Sequence, residues 1–98
     1  MIDAHSAYLN TDARLEVLAK EFIINEVSKT ITNVISKGYF TATIDVDDTK
    51  LDGYMFKELA PRVCKILREE WHYDADTQAN VNGFIYAINI DWSTADGK

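Results

Sequence analysis

Apolar residues recur at helical spacing early in the chain and predict one long helix over about residues 10–37. Gly38 is expected to end this helix, because a residue without a Cβ turns left-handed at little cost. Residues 1–9 are expected to form a separate lead-in segment. The residues suited to cap the first turn, since their side chains accept hydrogen bonds from free amides, are Asn10, Thr11 and Asp12.

Two apolar stripes, rather than one, run along this predicted helix. The first comprises Leu15, Leu18, Ala19, Phe22 and Ile23. At helical spacing it continues into polar residues, namely Glu26, Thr30, Asn33 and Lys37. The second lies well around the cylinder and comprises Val17, Ile24, Val27, Ile31, Val34 and Ile35. An ordinary surface helix is apolar on one side only, so something must cover the extra face.

Two different segments could cover the extra apolar face, and the sequence does not choose between them. Ile2, Tyr8 and Leu9 of the lead-in segment can fold over it within the same chain. Alternatively, a second chain covers it, since contiguous exposed apolar patches mark interfaces, and the protein is then a homodimer or a higher oligomer. On this second interpretation the candidate interface residues are Leu15, Val17, Leu18, Phe22 and Ile24.

The remainder of the chain predicts a strand, a second helix and a hairpin. Strict alternation over Tyr39 to Val46 is typical of a half-buried strand. Helical spacing of apolar residues from about Leu51 to Glu70 or Trp71 predicts the second helix, which Pro61 should kink or split.

Asn82-Gly83 lies between two alternating segments and predicts a tight two-residue hairpin turn. That turn sets Asp74 opposite Asp91 and Ala79 opposite Tyr86. It also directs one set of side chains from both strands at the core: Tyr73, Ala75, Thr77, Ala79, Val81, Phe84, Tyr86, Ile88, Ile90 and Trp92.

The predicted order α-β-α-β-β favours an α+β fold with two layers. Its sheet has three largely antiparallel strands, and both helices lie on one face of it. Ninety-eight residues fit a single domain, with residues 93–98 as a flexible tail.

The formal net charge of −6 changes the list of plausible partners. An acidic chain opposes the electrostatic attraction that dominates nucleic-acid binding, so nucleic acid is an unexpected partner. No apolar run approaches a membrane span, and the opening residues lack the regions of a signal peptide. Cys64 is the single cysteine, which fits a reducing compartment. We therefore expect a cytoplasmic protein whose partners are proteins, without membrane association.

Aspartates on the polar face of the hairpin are the strongest candidates for chemistry. Asp74 and Asp91 are predicted to face each other, with Asp76 one step along and Asp45 on the first strand. Such carboxylates could share a proton or hold a hard cation, in a cation-binding or hydrolytic protein. The alternative is an ordinary solvated sheet face, on which no metal is bound. We expect neither a cofactor nor catalytic activity, because no catalytic signature accompanies these residues.

Four cations on the second helix suggest a different partner. Lys57, Arg62, Lys65 and Arg68 lie opposite its apolar face, interleaved with glutamates. They form either a solvated face or a surface for an anionic partner, with an acidic protein favoured over nucleic acid.

The overall pattern resembles a group of phage proteins. A long helix ending in "ISKGYFTATIDV", an amphipathic second helix and a last strand closing "AINIDW" are similar to the small α+β accessory and structural proteins encoded by tailed phages and prophages. The resemblance covers residues 10–92 and carries no catalytic residues. It implies a non-enzymatic accessory or virion-assembly protein that acts through protein contacts in the bacterial host cytoplasm or in the virion.

Overall fold

The computed structural model describes residues 1–95 and confirms the α+β class and the order of elements. Helix α1 (Ala4–Phe22), a π-helical turn (Ile23–Val27) and α2 (Ser28–Ser36) are joined without a break, and we call them together the N-terminal helix. The other elements are β1 (Thr41–Asp45), a short 3₁₀ turn (Val46–Asp48), α3 (Gly53–Trp71), β2 (Asp74–Ala79) and β3 (Ile85–Asp91). The helices pack on one face of the sheet.

The N-terminal helix begins earlier than the sequence indicated. Asp3 is its cap, and its Oδ1 accepts a hydrogen bond of 2.8 Å from the Ser6 amide. The predicted cap at residues 10–12 and the separate lead-in over residues 1–9 are therefore wrong. Asp3 provides the same capping chemistry two turns upstream. Tyr8 and Leu9 lie on this helix and are exposed, so they do not fold over its extra apolar face.

The π turn accounts for most of the two-stripe pattern. The Ser28 amide donates to the Ile23 carbonyl, five residues back instead of four, so this turn holds one residue more than an α-helical turn. The extra residue rotates α2 about the helix axis. Val27 and Ile31 consequently enter the same core as Ala19 and Phe22. The polar residues into which the first stripe runs are thereby turned away from the core.

Gly38 ends the helix as predicted. Its φ of +83° is left-handed, and its amide donates to the Ile35 carbonyl at 2.9 Å. The Tyr39 amide donates to the Val34 carbonyl at 3.3 Å, which completes a Schellman motif. The next strand is shorter than predicted, since Tyr39 and Phe40 precede β1 and are exposed.

Helix α3 is one helix through Pro61, so of the two predicted effects, a kink or a split, the split does not occur. Pro61 is exposed, and the lost backbone donor affects a single position of the helix. Asp52 caps the first turn by accepting from the Met55 amide at 2.8 Å. The helix ends where His72 turns left-handed, with φ of 62°.

The sheet has the order β1-β3-β2, with both pairs antiparallel. The predicted register holds over most of the hairpin, including Asp74 opposite Asp91 and Gln78 opposite Ala87. Ala79 faces Ile85 rather than Tyr86, because a bulge shifts the register beyond Gln78.

The turn itself differs from the prediction. The Gly83 amide donates to the Asn80 carbonyl at 2.9 Å, and Gly83 has positive φ whereas Asn82 does not. The loop therefore has three residues, 81–83, with glycine in the left-handed position. Consequently Val81 is fully exposed and Phe84 is 40% exposed, so their predicted place in the core is wrong. Ile85 packs against the core instead. The bulge at Tyr86 compensates for the longer loop and restores the predicted register further along.

One core lies between the helices and the sheet. Its largest fully buried side chains are Phe56, Leu67, Ile88, Ile90, Val27, Val63 and Cys64. All three strands, the N-terminal helix and α3 contribute residues to this core. Of the predicted tail, residues 93–95 are described and the Ala95 amide donates to the Trp92 carbonyl at 3.2 Å, whereas residues 96–98 lie outside the described part.

Candidate functional site: the outer face of the N-terminal helix

The five predicted interface residues divide into two groups. Phe22 is buried, and Leu15 and Leu18 pack against the core, so these three are not available to a partner. Val17 and Ile24 are exposed, by 45% and 69% respectively. The structure therefore corrects the prediction, because the first stripe is a core stripe and only part of the second lies at the surface.

Val17 and Ile24 belong to a longer exposed line along the N-terminal helix, which we call the outer seam. It comprises Ser6, Leu9, Ala13, Val17, Lys20 and Ile24, at spacings of three or four residues. At about 3.6 residues per turn these positions share one side of the helix. That side lies about half a turn from Leu15, Ala19 and Phe22. All but Ser6 are exposed, so the seam has no cover within the described chain.

The C-terminal end of the outer seam opens into an apolar groove of about 370 Å³. Val27, Ile31 and Leu67 form its buried floor. Exposed apolar residues of its rim are Ile24, Ile35 and Trp71. Because Ile24 belongs to both, the seam and the groove adjoin at this residue.

Sequence reasoning missed Trp71 as a surface residue. It is the last residue of α3 and is 61% exposed. Its spacing gave no signal for exposure, because Trp71 follows the buried Leu67 by four residues and the buried Cys64 by seven, and so continues the apolar side of α3. Its exposure follows from its position at the end of the helix. Exposed aromatics of this kind are enriched at protein interfaces.

The aspartates lie together only in part. Asp74 and Asp91 face each other, beside an open depression of about 390 Å³ on the polar side of the sheet. Asp45 lies at the other end of β1, opposite Ala87, and its carboxylate accepts from the Asp47 amide. It therefore does not join the pair.

The carboxylates that do lie together, those of Asp74, Asp76 and Asp91, each have a hydrogen-bond or ion-pair partner nearby. Asp91 accepts from the Ser93 amide at 2.7 Å, and this hydrogen bond lowers the pKa of Asp91, the opposite of what a shared proton requires. Asp74 accepts from the Thr94 hydroxyl at 3.3 Å, and Asp76 lies 3.8 Å from the Arg68 guanidinium. Within residues 1–95, no group of three or more acidic, histidine or cysteine side chains is placed to hold a metal ion.

The polar face of the sheet also has a hydrogen-bonded ladder across its three strands. The Thr43 hydroxyl donates to Asn89 Oδ1 at 3.0 Å, and Asn89 Nδ2 donates to Gln78 Oε1 at 3.1 Å. Cross-strand pairs of this kind stabilise a sheet whose outer side meets water. The geometry of this face therefore supports a solvated surface better than a cation site.

We expect calcium to leave this face unchanged. In an NMR titration to millimolar calcium, the amide signals of Asp74, Asp76 and Asp91 should stay in place, because their oxygens do not converge on one point. A saturable shift of these three signals that disappears in the Asp91→Asn variant would contradict the expectation.

The four cations of α3 do not act as one free surface. Arg62 pairs with two acids of α1, Asp12 at 2.7 Å and Glu16 at 3.3 Å, and the hydrogen bond to Asp12 raises the pKa of Arg62. Arg68 donates to the Ala75 carbonyl at 2.5 Å.

The two lysines are exposed. Lys57 lies over the Tyr54 ring, 5.8 Å from its centre. Lys65 borders a small depression with three glutamates, Glu16, Glu69 and Glu70. The predicted anionic-partner surface is therefore interrupted by acids and partly used to hold α1 against α3.

Cys64 is buried, and its thiol has low reactivity. Its side chain belongs to the core, and burial raises the pKa of the thiol to about 11. The thiolate, which is the nucleophilic form, is therefore scarce near neutral pH. This residue acts as a small apolar side chain.

No protein-family model matches the chain, and neither a curated protein nor a solved structure matches it. Within the described residues, no helix is both long and apolar enough to cross a membrane.

Proposed function

We propose that this protein is a small non-catalytic interaction module that acts by self-association through the outer seam. The observation that carries the proposal is the exposure of apolar residues along α1 on the side opposite its core face. A helix that is apolar on both sides requires cover on both. Within the described chain only one side is covered.

The charge distribution supports this choice of surface. The net charge of −6 opposes binding to nucleic acid. The cations that could attract an anionic partner are interleaved with acids, whereas Lys20 is the single charged residue of the outer seam. An apolar contact between proteins is therefore the interaction that this surface favours.

The resemblance to small phage-encoded proteins extends the proposal. We place the protein among the accessory or virion-assembly proteins of tailed phages and prophages, acting in the bacterial host cytoplasm or in the virion. Self-association suits such a role, since assemblies are built from repeated contacts between copies of one chain.

Sedimentation velocity at tens of micromolar tests the proposal. The wild-type protein should sediment as a dimer or larger species, and Val17→Glu should shift it to the monomer, because the substitution places a charge among the apolar residues of the seam. Thr11→Glu is the matched control, since it adds the same charge to an exposed residue of α1 outside the seam and should leave association unchanged. A wild-type protein that sediments as a monomer at these concentrations would refute the proposal.

A further inference from the structure

The outer seam has a symmetric pattern about Ala13. Leu9 lies four residues before it and Val17 four residues after it, whereas Ser6 and Lys20 lie seven residues to either side. Ile24 lies eleven residues after Ala13, and Ile2 lies eleven residues before it, just ahead of the Asp3 cap. A twofold contact is isologous, so an axis at Ala13 brings residues at equal distances before and after Ala13 against one another.

We propose that two copies of the chain pair through their outer seams in antiparallel orientation, with the twofold axis passing near Ala13. This inference rests on the proposed self-association and specifies its geometry. Antiparallel pairing about Ala13 sets Leu9 of each copy against Val17 of the other. The alanines meet at the axis, where their small side chains permit the two helices to approach closely.

Electrostatic repulsion favours the antiparallel arrangement over the parallel one. Lys20 is the one charged residue of the seam. Parallel pairing in register sets Lys20 against Lys20, and like charges in direct contact are unfavourable. Antiparallel pairing sets Lys20 against Ser6 instead, where an ammonium group meets a hydroxyl.

The groove gains a role in the antiparallel dimer. Ile24 of one copy comes opposite the segment just before the partner's helix, where Ile2 lies exposed. Ile24 also borders the groove, so the partner's Ile2 is set at the mouth of an apolar cavity of about 370 Å³. Each copy therefore offers an exposed side chain and receives one, at two equivalent ends of the interface.

The area of the contact sets its expected strength. At 1.5 Å per residue the seam from Ser6 to Ile24 is about 27 Å long, and a helix about 10–12 Å wide gives a footprint of roughly 300 Å² per copy. This is below the roughly 800 Å² per partner of a standard stable interface, even with some additional area at the groove mouth. A contact of this size belongs to the weak, transient class, so we expect a reversible dimer that dissociates on dilution.

Disulfide trapping tests the orientation. Leu9→Cys and Val17→Cys are prepared as separate variants and oxidised alone and as an equimolar mixture. Antiparallel pairing predicts a cross-linked dimer of one variant with the other, about a hundredfold more abundant than either homodimer, because facing thiols are held at millimolar effective concentration. Ala13→Cys should cross-link to itself. The wild-type protein is the matched control, because its Cys64 is 2% exposed and should not react.

The outcomes distinguish the inference from the proposed function. A mixed Leu9→Cys and Val17→Cys disulfide supports the antiparallel dimer. Cross-links within each variant alone, on a protein that sediments as a dimer, would overturn the antiparallel geometry and leave self-association standing. A monomer by sedimentation, with no cross-link for any variant, would overturn both. All three positions are exposed, so the variants should fold as the wild type does, which far-ultraviolet circular dichroism checks.

Discussion

Deletion of Asn25 from the π turn is expected to preserve the fold and to change the free energy of unfolding by no more than about 1 kcal/mol. Asn25 is exposed, and its turn holds one residue more than an α-helical turn. Without it, Phe22, Val27 and Ile31 fall at successive intervals of four residues, which places them on one side of a regular α-helix. The shortened helix therefore presents the same side chains to the same core.

Deletion of Lys65 is the matched control and is expected to unfold the protein. Lys65 is also polar and exposed, but it lies within the regular α-helical part of α3. Its loss rotates the residues on one side of the deletion by about 100° relative to those on the other. Phe56 and Ile66, both buried in the intact helix, then lie on opposite sides of α3 and can no longer both face the core. The resulting loss of burial is comparable with the whole stability of a small domain, about 5–15 kcal/mol.

Chemical denaturation followed by circular dichroism measures both deletions. The expected result is a cooperative transition for the Asn25 deletion, close to that of the wild type, and no cooperative transition for the Lys65 deletion. If the two deletions proved equally damaging, the π turn would not be the source of the two-stripe pattern.

Phe56→Ala is expected to lower the free energy of unfolding by about 3–5 kcal/mol. Phe56 is 1% exposed and is among the largest fully buried side chains of the core, between α3 and the sheet. Its truncation removes the hydrophobic transfer energy of the ring and leaves a cavity, because the close-packed surroundings relax only in part. For a domain of this size, such a loss is a large share of the total stability.

Tyr54→Ala provides the comparison on the same helix. Tyr54 is 67% exposed and contacts Lys57 through its ring face, so its truncation should cost no more than about 1 kcal/mol. Urea titrations of the two variants under identical conditions measure the difference. Equal losses for Phe56→Ala and Tyr54→Ala would contradict the placement of the core.

Local signals in the sequence were sufficient for several parts of the fold. Gly38 stops the N-terminal helix because its left-handed conformation depends on its own missing Cβ. The alternation around Asn82-Gly83 predicted the strand pairing as far as Asp74 and Asp91. It did not predict the three-residue loop and the bulge at Tyr86, because these two irregularities shift the register in opposite directions and cancel further along the strands.

The sequence predicted only part of the outer seam. Val17 and Ile24 were identified, but Leu15, Leu18 and Phe22 were assigned to the same interface. Periodicity shows that a helix has two apolar sides and does not show which of them meets the core. That choice depends on where α3 and the sheet lie, and those elements are distant in the sequence.

The sequence by itself determined the element types, the hairpin pairing and the excess of apolar surface on the first helix, because each depends on residues close together in the chain. Only the tertiary structure decided the strand order β1-β3-β2, the separation of Asp45 from Asp74 and Asp91, and the burial of Val27 and Ile31 through the π turn. These features arise from contacts between distant segments. The free energy of packing one shared core selects among arrangements that the local pattern leaves equally possible.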